Sequence, residues 1–224
     1  MENIKFEENI KINEKDALII VDMQNDFIPG GSLAVEEGDL IIEGINEIAN
    51  YFKEKKAVIV LTQDWHPQNH LSFASNHPGK SPGDEYTSDD GGIGPVLWPD
   101  HCVQGSIGAE FHKDLKKELA DKIIQKGMNY KVDSYSGFQD NDKKSETGLR
   151  EYLNSKNIKR IFICGLTLDY CGYYTAMDGF EFGYKVYFLI ELTRGVDLPP
   201  GNVSRTLKSM KEKGIKFVKR KSFK

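Results

Sequence analysis

Six short apolar runs that alternate with helical patterns constrain the fold of this chain more than any other feature. They span residues 16–22, 57–64, 121–126, 158–165, 184–191 and 215–219. Most are rich in Ile and Val and nearly continuous in apolar character, as is typical of parallel strands covered on both faces. Between the first two, apolar residues recur at helical spacing: Ile41, Ile45, Ile48 and Phe52. The order predicts an α/β fold, a three-layer open, mostly parallel sheet of about six strands with helices on both faces.

The length and composition of the chain fit one core. A chain of 224 residues, 39% of them hydrophobic, can bury one substantial apolar interior. We therefore expect a single domain over residues 1–224. One segment within this domain, residues 77–97, is rich in Gly, Pro and Asp. We interpret it as a long surface excursion that adds nothing to the core.

Charge and cysteine content narrow the classes of function. The net charge is −4, and the basic residues are scattered apart from the C-terminal KRKSFK, which argues against a nucleic-acid-binding surface. No apolar run is long enough to cross a bilayer, so no membrane partner is expected. Three cysteines without paired spacing, and no recognisable signal peptide, predict free thiols in a cytoplasmic location. Whether the chain forms a homo-oligomer stays open.

Reactive side chains follow the predicted strands where those strands end. Asp22 ends the first strand, Asp64 and His66 follow the second, Lys126 ends the third, and Cys171 lies one turn beyond the fourth. Each could serve as a helix cap or a solvated charge. Because ligands bind at the carboxyl ends of strands in an open parallel sheet, five such groups at one edge indicate a site instead.

Cys171 stands at a strand-to-helix turn. It follows the apolar run 158–164 and precedes the probable helix 172–183. The start of a helix offers free backbone N–H groups and a positive dipole end, both of which favour a nucleophilic thiolate. The alternative is a buried structural cysteine.

A carboxylate and two imidazoles predict a metal site. Asp64, His66 and His101 form a donor set that suits one divalent transition metal with open coordination positions. A hydrogen-bonded loop histidine is the alternative for either imidazole. His70 could be a further ligand, but we favour a supporting position beside a ligand. Two more histidines are expected to be exposed: His77 and His112.

Long motifs in a fixed order give the chain a recognisable pattern. It resembles the isochorismatase-like cysteine hydrolases, in their pyrazinamidase/nicotinamidase branch. The motifs are VDMQNDF (21–27), TQDWHPQNHLSF (62–73), WPDHCVQGS (98–106), KGMNYKVDSYSGF (126–138), GLTLDYC (165–171) and ELTRGV (191–196). The resemblance implies hydrolysis of nicotinamide to nicotinate and ammonia, which feeds NAD salvage.

The resemblance also implies roles for individual residues. Asp22, Lys126 and Cys171 would form the catalytic triad, with Lys131 a nearby rival for the lysine. Asp22 would act as base and then acid, and Cys171 would form a thioester. The oxyanion would lie against the backbone N–H groups of Thr167 and Cys171, with a cis peptide bond before Thr167.

The metal and the substrate pocket follow from the same resemblance. Asp64, His66 and His101 would hold the ion, with zinc as the first choice and iron or manganese as alternatives. The ion would bind the pyridine nitrogen directly or through water, which orients the carboxamide toward the thiol. The pocket residues would be Phe27, Trp98, Tyr135 and Leu166.

Three other functions are compatible with parts of this pattern. A related amidase acting on ureidoacrylate, N-carbamoylsarcosine or another small amide would keep the triad. The metal set, as we call Asp64, His66 and His101, instead favours a substrate with a ring nitrogen. A vinyl-ether hydrolase of the isochorismate type would not need Cys171. A non-catalytic metal- or nicotinamide-binding protein would not need every reactive group.

Overall fold

The six predicted strands form one parallel sheet. The computed structural model describes residues 4–224. The strands are β1 (Asp16–Val21), β2 (Val58–Asp64), β3 (Lys122–Lys126), β4 (Arg160–Leu166), β5 (Lys185–Arg194) and β6 (Lys216–Val218). Their order across the sheet is β3-β2-β1-β4-β5-β6, and every pairing is parallel. The predicted α/β sheet is confirmed, and that it forms a single domain stays a prediction.

Four helices cover the sheet. They are α1 (Ile42–Glu54), α2 (Leu149–Ser155), α3 (Tyr173–Glu181) and α4 (Asn202–Lys213). The α1 helix buries Ile45, Ile48 and Phe52, as their spacing predicts. The α4 helix ends at Gly214, whose φ of +98° is the left-handed conformation that favours glycine at this position. Within residues 4–224, none of the helices has the length and apolar character needed to span a membrane.

The strands bury side chains on both faces because successive residues of a strand point to opposite sides. Leu18 and Ile20 of β1 join the apolar cluster that contains Phe52 of α1. Ala17 and Ile19 join the cluster on the other face, where α2, α3 and α4 contribute side chains. Each large side chain buried in this way stabilises the fold by about 1.5–3 kcal/mol.

The centre of the sheet is also the point where the strand order reverses. From β1 the chain runs to β2 on one side, while β4 lies on the other, which leaves a crevice at the carboxyl ends of β1 and β4. The two strands approach closely there. Gly165 of β4 pairs with Val21 of β1, and a Cβ at Gly165 would lie only 2.2 Å from the Val21 carbonyl oxygen.

The excursion at residues 77–97 differs from the prediction in one respect. It has no helix or strand, and most of it is exposed. Ile93, Val96 and Leu97 are nevertheless buried, and Ile93 and Leu97 share a small apolar cluster with Ala74. The expectation that this segment has no core was therefore wrong. The segment folds back on itself through a bridge between Glu85 and Val96, which shields these few apolar side chains.

Candidate active site

The ends of four neighbouring strands bring the predicted reactive groups together. Asp22 follows β1, Asp64 is the last residue of β2, and Lys126 is the last residue of β3. Asp64 and Lys126 are also direct partners in the register of β2 and β3. Cys171 lies in the turn 168–172 between β4 and α3. All four side chains are buried, so the predicted edge is a protected crevice.

The ammonium group of Lys126 is the common neighbour of the other three. Its Nζ lies 2.9 Å from Oδ2 of Asp22 and 3.4 Å from Sγ of Cys171. It donates hydrogen bonds to Oδ1 of Asp64 and to the carbonyl oxygen of Ser134. Burial by itself lowers the pKa of Lys126, but the two carboxylates raise it well above its usual value. The lysine is therefore a permanent cation between the thiol and both acids.

Asp22 is held in a strained conformation with one oxygen facing the lysine. Its φ of +46° is left-handed, which is uncommon for a residue other than glycine. The Thr62 hydroxyl donates to Oδ1 at 2.6 Å. Oδ2 faces Lys126 without the alignment of a hydrogen bond. Burial raises the pKa of Asp22, although Lys126 opposes this. A carboxyl group of this kind is suited to accept and return a proton.

The thiol of Cys171 is buried beside charged groups that shift its pKa in opposite directions. The sequence predicts that the start of a helix favours its thiolate. Burial instead raises the pKa of Cys171 well above its usual value, and the opposing charge of Lys126 does not reverse the shift. A carboxylate oxygen of Asp22 lies within 4.8 Å of Sγ. Burial therefore opposes the effect of the helix start, and the raised pKa suits a thiol that gives its proton to a neighbouring base.

The turn before Cys171 has the predicted backbone. The peptide bond between Leu166 and Thr167 is cis. The Thr167 carbonyl oxygen accepts hydrogen bonds from the N–H groups of Tyr170 at 3.4 Å and Gly172 at 2.8 Å. This turn places the backbone of Thr167 beside the nucleophile, and its role in binding an oxyanion stays a prediction.

Asp64, His66 and His101 converge as a metal site requires. Oδ2 of Asp64 lies 3.5 Å from Nε2 of His66 and 3.8 Å from Nε2 of His101. A tetrahedral ion with bonds of roughly 2.1 Å separates its ligand atoms by about 3.4 Å. Both distances from Asp64 are close to that value, and all three donor atoms lie within 4.8 Å of one another.

The two imidazoles present the correct nitrogens. Nδ1 of His66 faces the Gly127 carbonyl oxygen at 2.8 Å, and Nδ1 of His101 faces that of Pro99 at 2.8 Å. A ring nitrogen that faces a carbonyl carries the hydrogen, so each Nε2 keeps its lone pair. Within residues 4–224, Nε2 of His66 is buried without a hydrogen-bond partner. Burial lowers the pKa of His101 to about 4, which keeps that ring neutral, whereas the Asp64 carboxylate outweighs burial and raises the pKa of His66, so a metal at Nε2 of His66 would replace a proton there. The donor set therefore fits a divalent metal.

His70 lies beside the metal set with both of its nitrogens occupied. Its ring packs against that of His66, with 4.2 Å between the ring centroids. Nδ1 lies 2.7 Å from the Ser72 hydroxyl, and Nε2 lies 3.3 Å from the Val132 carbonyl oxygen. This arrangement supports the expected supporting position rather than a place among the ligands.

One cavity is lined by residues of both the thiol group and the metal set. Its walls are aromatic and aliphatic, and its polar groups lie at the metal set and at the thiol. The lining residues are Phe27, Leu33, Asp64, Trp98, His101, Asp133, Tyr135, Thr167, Tyr170, Cys171 and Val196. The aromatic side chains of the cavity wall pack against one another: the rings of Trp98 and Tyr170 meet edge-on, with 5.0 Å between their centroids. Trp98 also donates from Nε1 to the Tyr135 hydroxyl.

Leu166 is the one predicted pocket residue that does not line this cavity. As the last residue of β4, it points into the apolar cluster beneath α1. Its Cδ1 lies near Gly38. The side chain of Leu166 is therefore part of the core in this structure, and its contact with substrate stays a prediction.

Sequence reasoning missed five residues of the site: Leu33, Asp133, Tyr170 and Val196 in the cavity wall, and Gln24 beside Asp64. Tyr170 and Asp133 line the cavity, and both lie inside motifs that had been recognised. Gln24 is fully buried and pairs with the backbone of Asp64 in both directions. Its Nε2 donates to the Asp64 carbonyl oxygen at 2.7 Å, and its Oε1 accepts from the Asp64 N–H at 2.8 Å. An amide next to a catalytic acid in the sequence was the available signal for Gln24.

Comparison with known proteins places the chain in a family. The family model of the Isochorismatase domain matches residues 16–219. The chain belongs to the isochorismatase family. It is 42% identical to the nicotinamidase of Acinetobacter baylyi over 203 residues, which cover 90% of this chain and 91% of that protein.

Solved structures of nicotinamidases and pyrazinamidases are also similar to this chain. The structure of Acinetobacter baumanii nicotinamidase/pyrazinamidase is 42% identical, covers 92% of this chain and 96% of its own, and superposes with a TM-score of 0.87. The structure of Pyrococcus horikoshii pyrazinamidase in complex with zinc is 41% identical, covers 92% of this chain and 99% of its own, and has a TM-score of 0.75.

The remaining candidates lie outside the site. Lys131, the rival lysine, is exposed and places its Nζ over the Tyr130 ring, whereas Lys126 is buried at the thiol. His77 and His112 are half-buried rather than exposed, so that expectation was wrong. Nε2 of His77 lies 2.7 Å from the Leu71 carbonyl oxygen, and His112 lies outside the helices and strands.

The metal set generates the first prediction. His101→Ala should lose bound metal in elemental analysis, because two of the three donors cannot hold a divalent ion at the same affinity. Its Cys171 should still react with a thiol-directed alkylating reagent. His112→Ala is the matched control and should keep the metal of the wild type. Full metal content in both His66→Ala and His101→Ala would mean that the ion binds elsewhere.

Proposed function

We propose that the protein is a metal-dependent cysteine amidohydrolase that converts nicotinamide to nicotinate and ammonia. The observation that carries this proposal is one cavity lined both by Cys171, which adjoins Lys126 and Asp22, and by Asp64 and His101 of the metal set. The nicotinamidase relatives support it, because the chain matches them over nearly their whole length.

The shape and polarity of the cavity suit a flat heteroaromatic amide. The rings of Phe27, Trp98 and Tyr135 offer apolar faces to a pyridine ring. Asp64 and His101 border the cavity where the ring nitrogen would lie, and Cys171 borders it where the carboxamide would lie. The substrates of the related small-amide hydrolases, ureidoacrylate and N-carbamoylsarcosine, have no ring that would pack against these aromatic walls.

Asp64, His66 and His101 would hold one divalent transition metal. When bound, it attracts the ring nitrogen and so orients the substrate. Zinc is the first choice, since the Pyrococcus horikoshii pyrazinamidase was solved in complex with zinc. Iron or manganese would fit the same donors.

Acylation begins with transfer of the Cys171 proton to Asp22. Sulfur then attacks the carboxamide carbon, and Lys126 stabilises the developing thiolate without giving up its own proton. Backbone N–H groups of Thr167 and Cys171 would hold the oxyanion. The protonated Asp22 returns its proton to the amide nitrogen. The C–N bond breaks, ammonia leaves, and a thioester remains on Cys171.

Hydrolysis of the thioester uses the same groups in reverse. Asp22, now ionised, takes a proton from water as the water oxygen attacks the thioester carbon. The C–S bond breaks, the proton returns to sulfur, and nicotinate is released. A raised pKa allows Asp22 to alternate between base and acid in each half of the cycle. The cytoplasmic location and the oligomeric state stay predictions.

The nucleophile is tested by ammonia release from nicotinamide. Cys171→Ala should lose at least about 10⁴-fold in kcat, because no other group can form the acyl intermediate. Cys164→Ala is the matched control: it is equally buried but lies in the apolar cluster beneath α1, and it should keep most activity. Near wild-type turnover by Cys171→Ala would refute the mechanism.

The two acids should differ in their response to metal. Asp22→Asn should keep the metal but lose about 10²–10⁴-fold in kcat, since an amide cannot take the thiol proton. Asp64→Asn should instead retain metal poorly, and added metal should restore part of its activity. Turnover measured across a metal titration separates them. Recovery of Asp22→Asn in excess metal would overturn its role.

A further inference from the structure

Two buried threonine hydroxyls make no hydrogen bond within residues 4–224. Oγ1 of Thr167 and Oγ1 of Thr193 both lack a partner, and the two residues are only 5% and 3% exposed. Their positions differ. Thr167 lines the cavity that contains Cys171, whereas Thr193 lies within β5 and does not line it.

An unpartnered hydroxyl is unfavourable in such a place. Leaving a buried polar group without a hydrogen bond costs roughly 1–3 kcal/mol, and most buried polar groups in proteins are paired. The Thr167 backbone cannot turn away to relieve this cost, because its carbonyl oxygen accepts hydrogen bonds from Gly172 and Tyr170. A valine has nearly the same shape, so packing alone does not require the hydroxyl.

The layout of the cavity indicates what the hydroxyl can meet. Thr167 and Cys171 both line the cavity, and Thr167 directly precedes the turn 168–172 that contains Cys171. The N–H of Gly172, the residue after Cys171, donates to the Thr167 carbonyl oxygen at 2.8 Å, which holds the two residues close together. The carbon that Cys171 attacks must come into contact with Sγ. The carboxamide oxygen and nitrogen on that carbon therefore lie close to Thr167.

We propose that the Thr167 hydroxyl forms a hydrogen bond with the carboxamide that Cys171 attacks, and so selects for amide substrates. This inference rests on the proposed function. A threonine hydroxyl can donate one hydrogen bond and accept two, so it can pair with the carbonyl oxygen or with the NH₂ group. The contact comes from the side chain and is additional to any contact from the Thr167 backbone.

The test compares Thr167→Val with Thr193→Val, which removes the other unpartnered hydroxyl as a matched control. Thr167→Val should lower kcat/KM for nicotinamide on the order of tenfold, the usual effect of one neutral hydrogen bond. Thr167→Ser, which keeps a hydroxyl, should stay within about threefold of the wild type on the same scale. Thr193→Val should be unchanged.

Pyridine distinguishes a contact with the carboxamide from a general disturbance of the site. Pyridine has the ring nitrogen but no carboxamide, so it should inhibit the wild type and Thr167→Val with the same constant. The unfolding temperature of Thr167→Val should not fall, because the variant removes an unpaired polar group. If that variant does not fold, Thr167→Ala, which also lacks the hydroxyl, must show the same loss.

The outcomes separate this inference from the proposed function. A wild-type protein that releases no ammonia from nicotinamide refutes the function itself. If the wild type is active and Thr167→Val matches Thr193→Val, the contact does not exist. Weaker pyridine inhibition in Thr167→Val, in proportion to its loss of kcat/KM, would also overturn the contact, because it would show a distorted pocket.

Discussion

The site depends on one buried cation. Lys126 is held between Asp22 and Asp64, and its ammonium group also reaches Cys171. Moving an ammonium and two carboxylates out of water costs several kcal/mol for each ion, and only close pairing recovers it. Removing either acid would leave an uncompensated charge. The electrostatic balance at the thiol is therefore inseparable from the balance at the metal set, since Asp64 belongs to both.

Strand pairing and hydrogen bonds from neighbouring residues hold the charged side chains around Lys126 in position. Asp64 lies opposite Lys126 in the paired strands β2 and β3, so the backbone itself sets their separation. Gln24 binds the N–H and the carbonyl of Asp64, and Thr62 binds one oxygen of Asp22. Such polar groups cost stability unless they are fully paired, and here they fix the carboxylates in single orientations.

Burial also changes the acidity of the reacting groups and the strength of the charge interactions between them. It raises the pKa of both Asp22 and Cys171, and the raised pKa makes Asp22 a stronger proton acceptor than an exposed carboxylate. The same exclusion of water strengthens the attraction between Lys126 and the thiolate that forms during the reaction. The start of a helix favours a thiolate, but burial opposes that effect by raising the pKa of Cys171. The helix start alone therefore does not activate the thiol.

The fold and the edge of the sheet at which reactive groups meet could be predicted from the sequence, because strand periodicity is local and parallel strands place their carboxyl ends together. Asp22, Asp64, Lys126 and Cys171 were identified on that basis, and the motifs supported their roles. The raised pKa of Cys171 and the unpartnered hydroxyl of Thr167 became visible only in the folded chain. Both depend on neighbours from strands that are distant in the sequence, which no local pattern records.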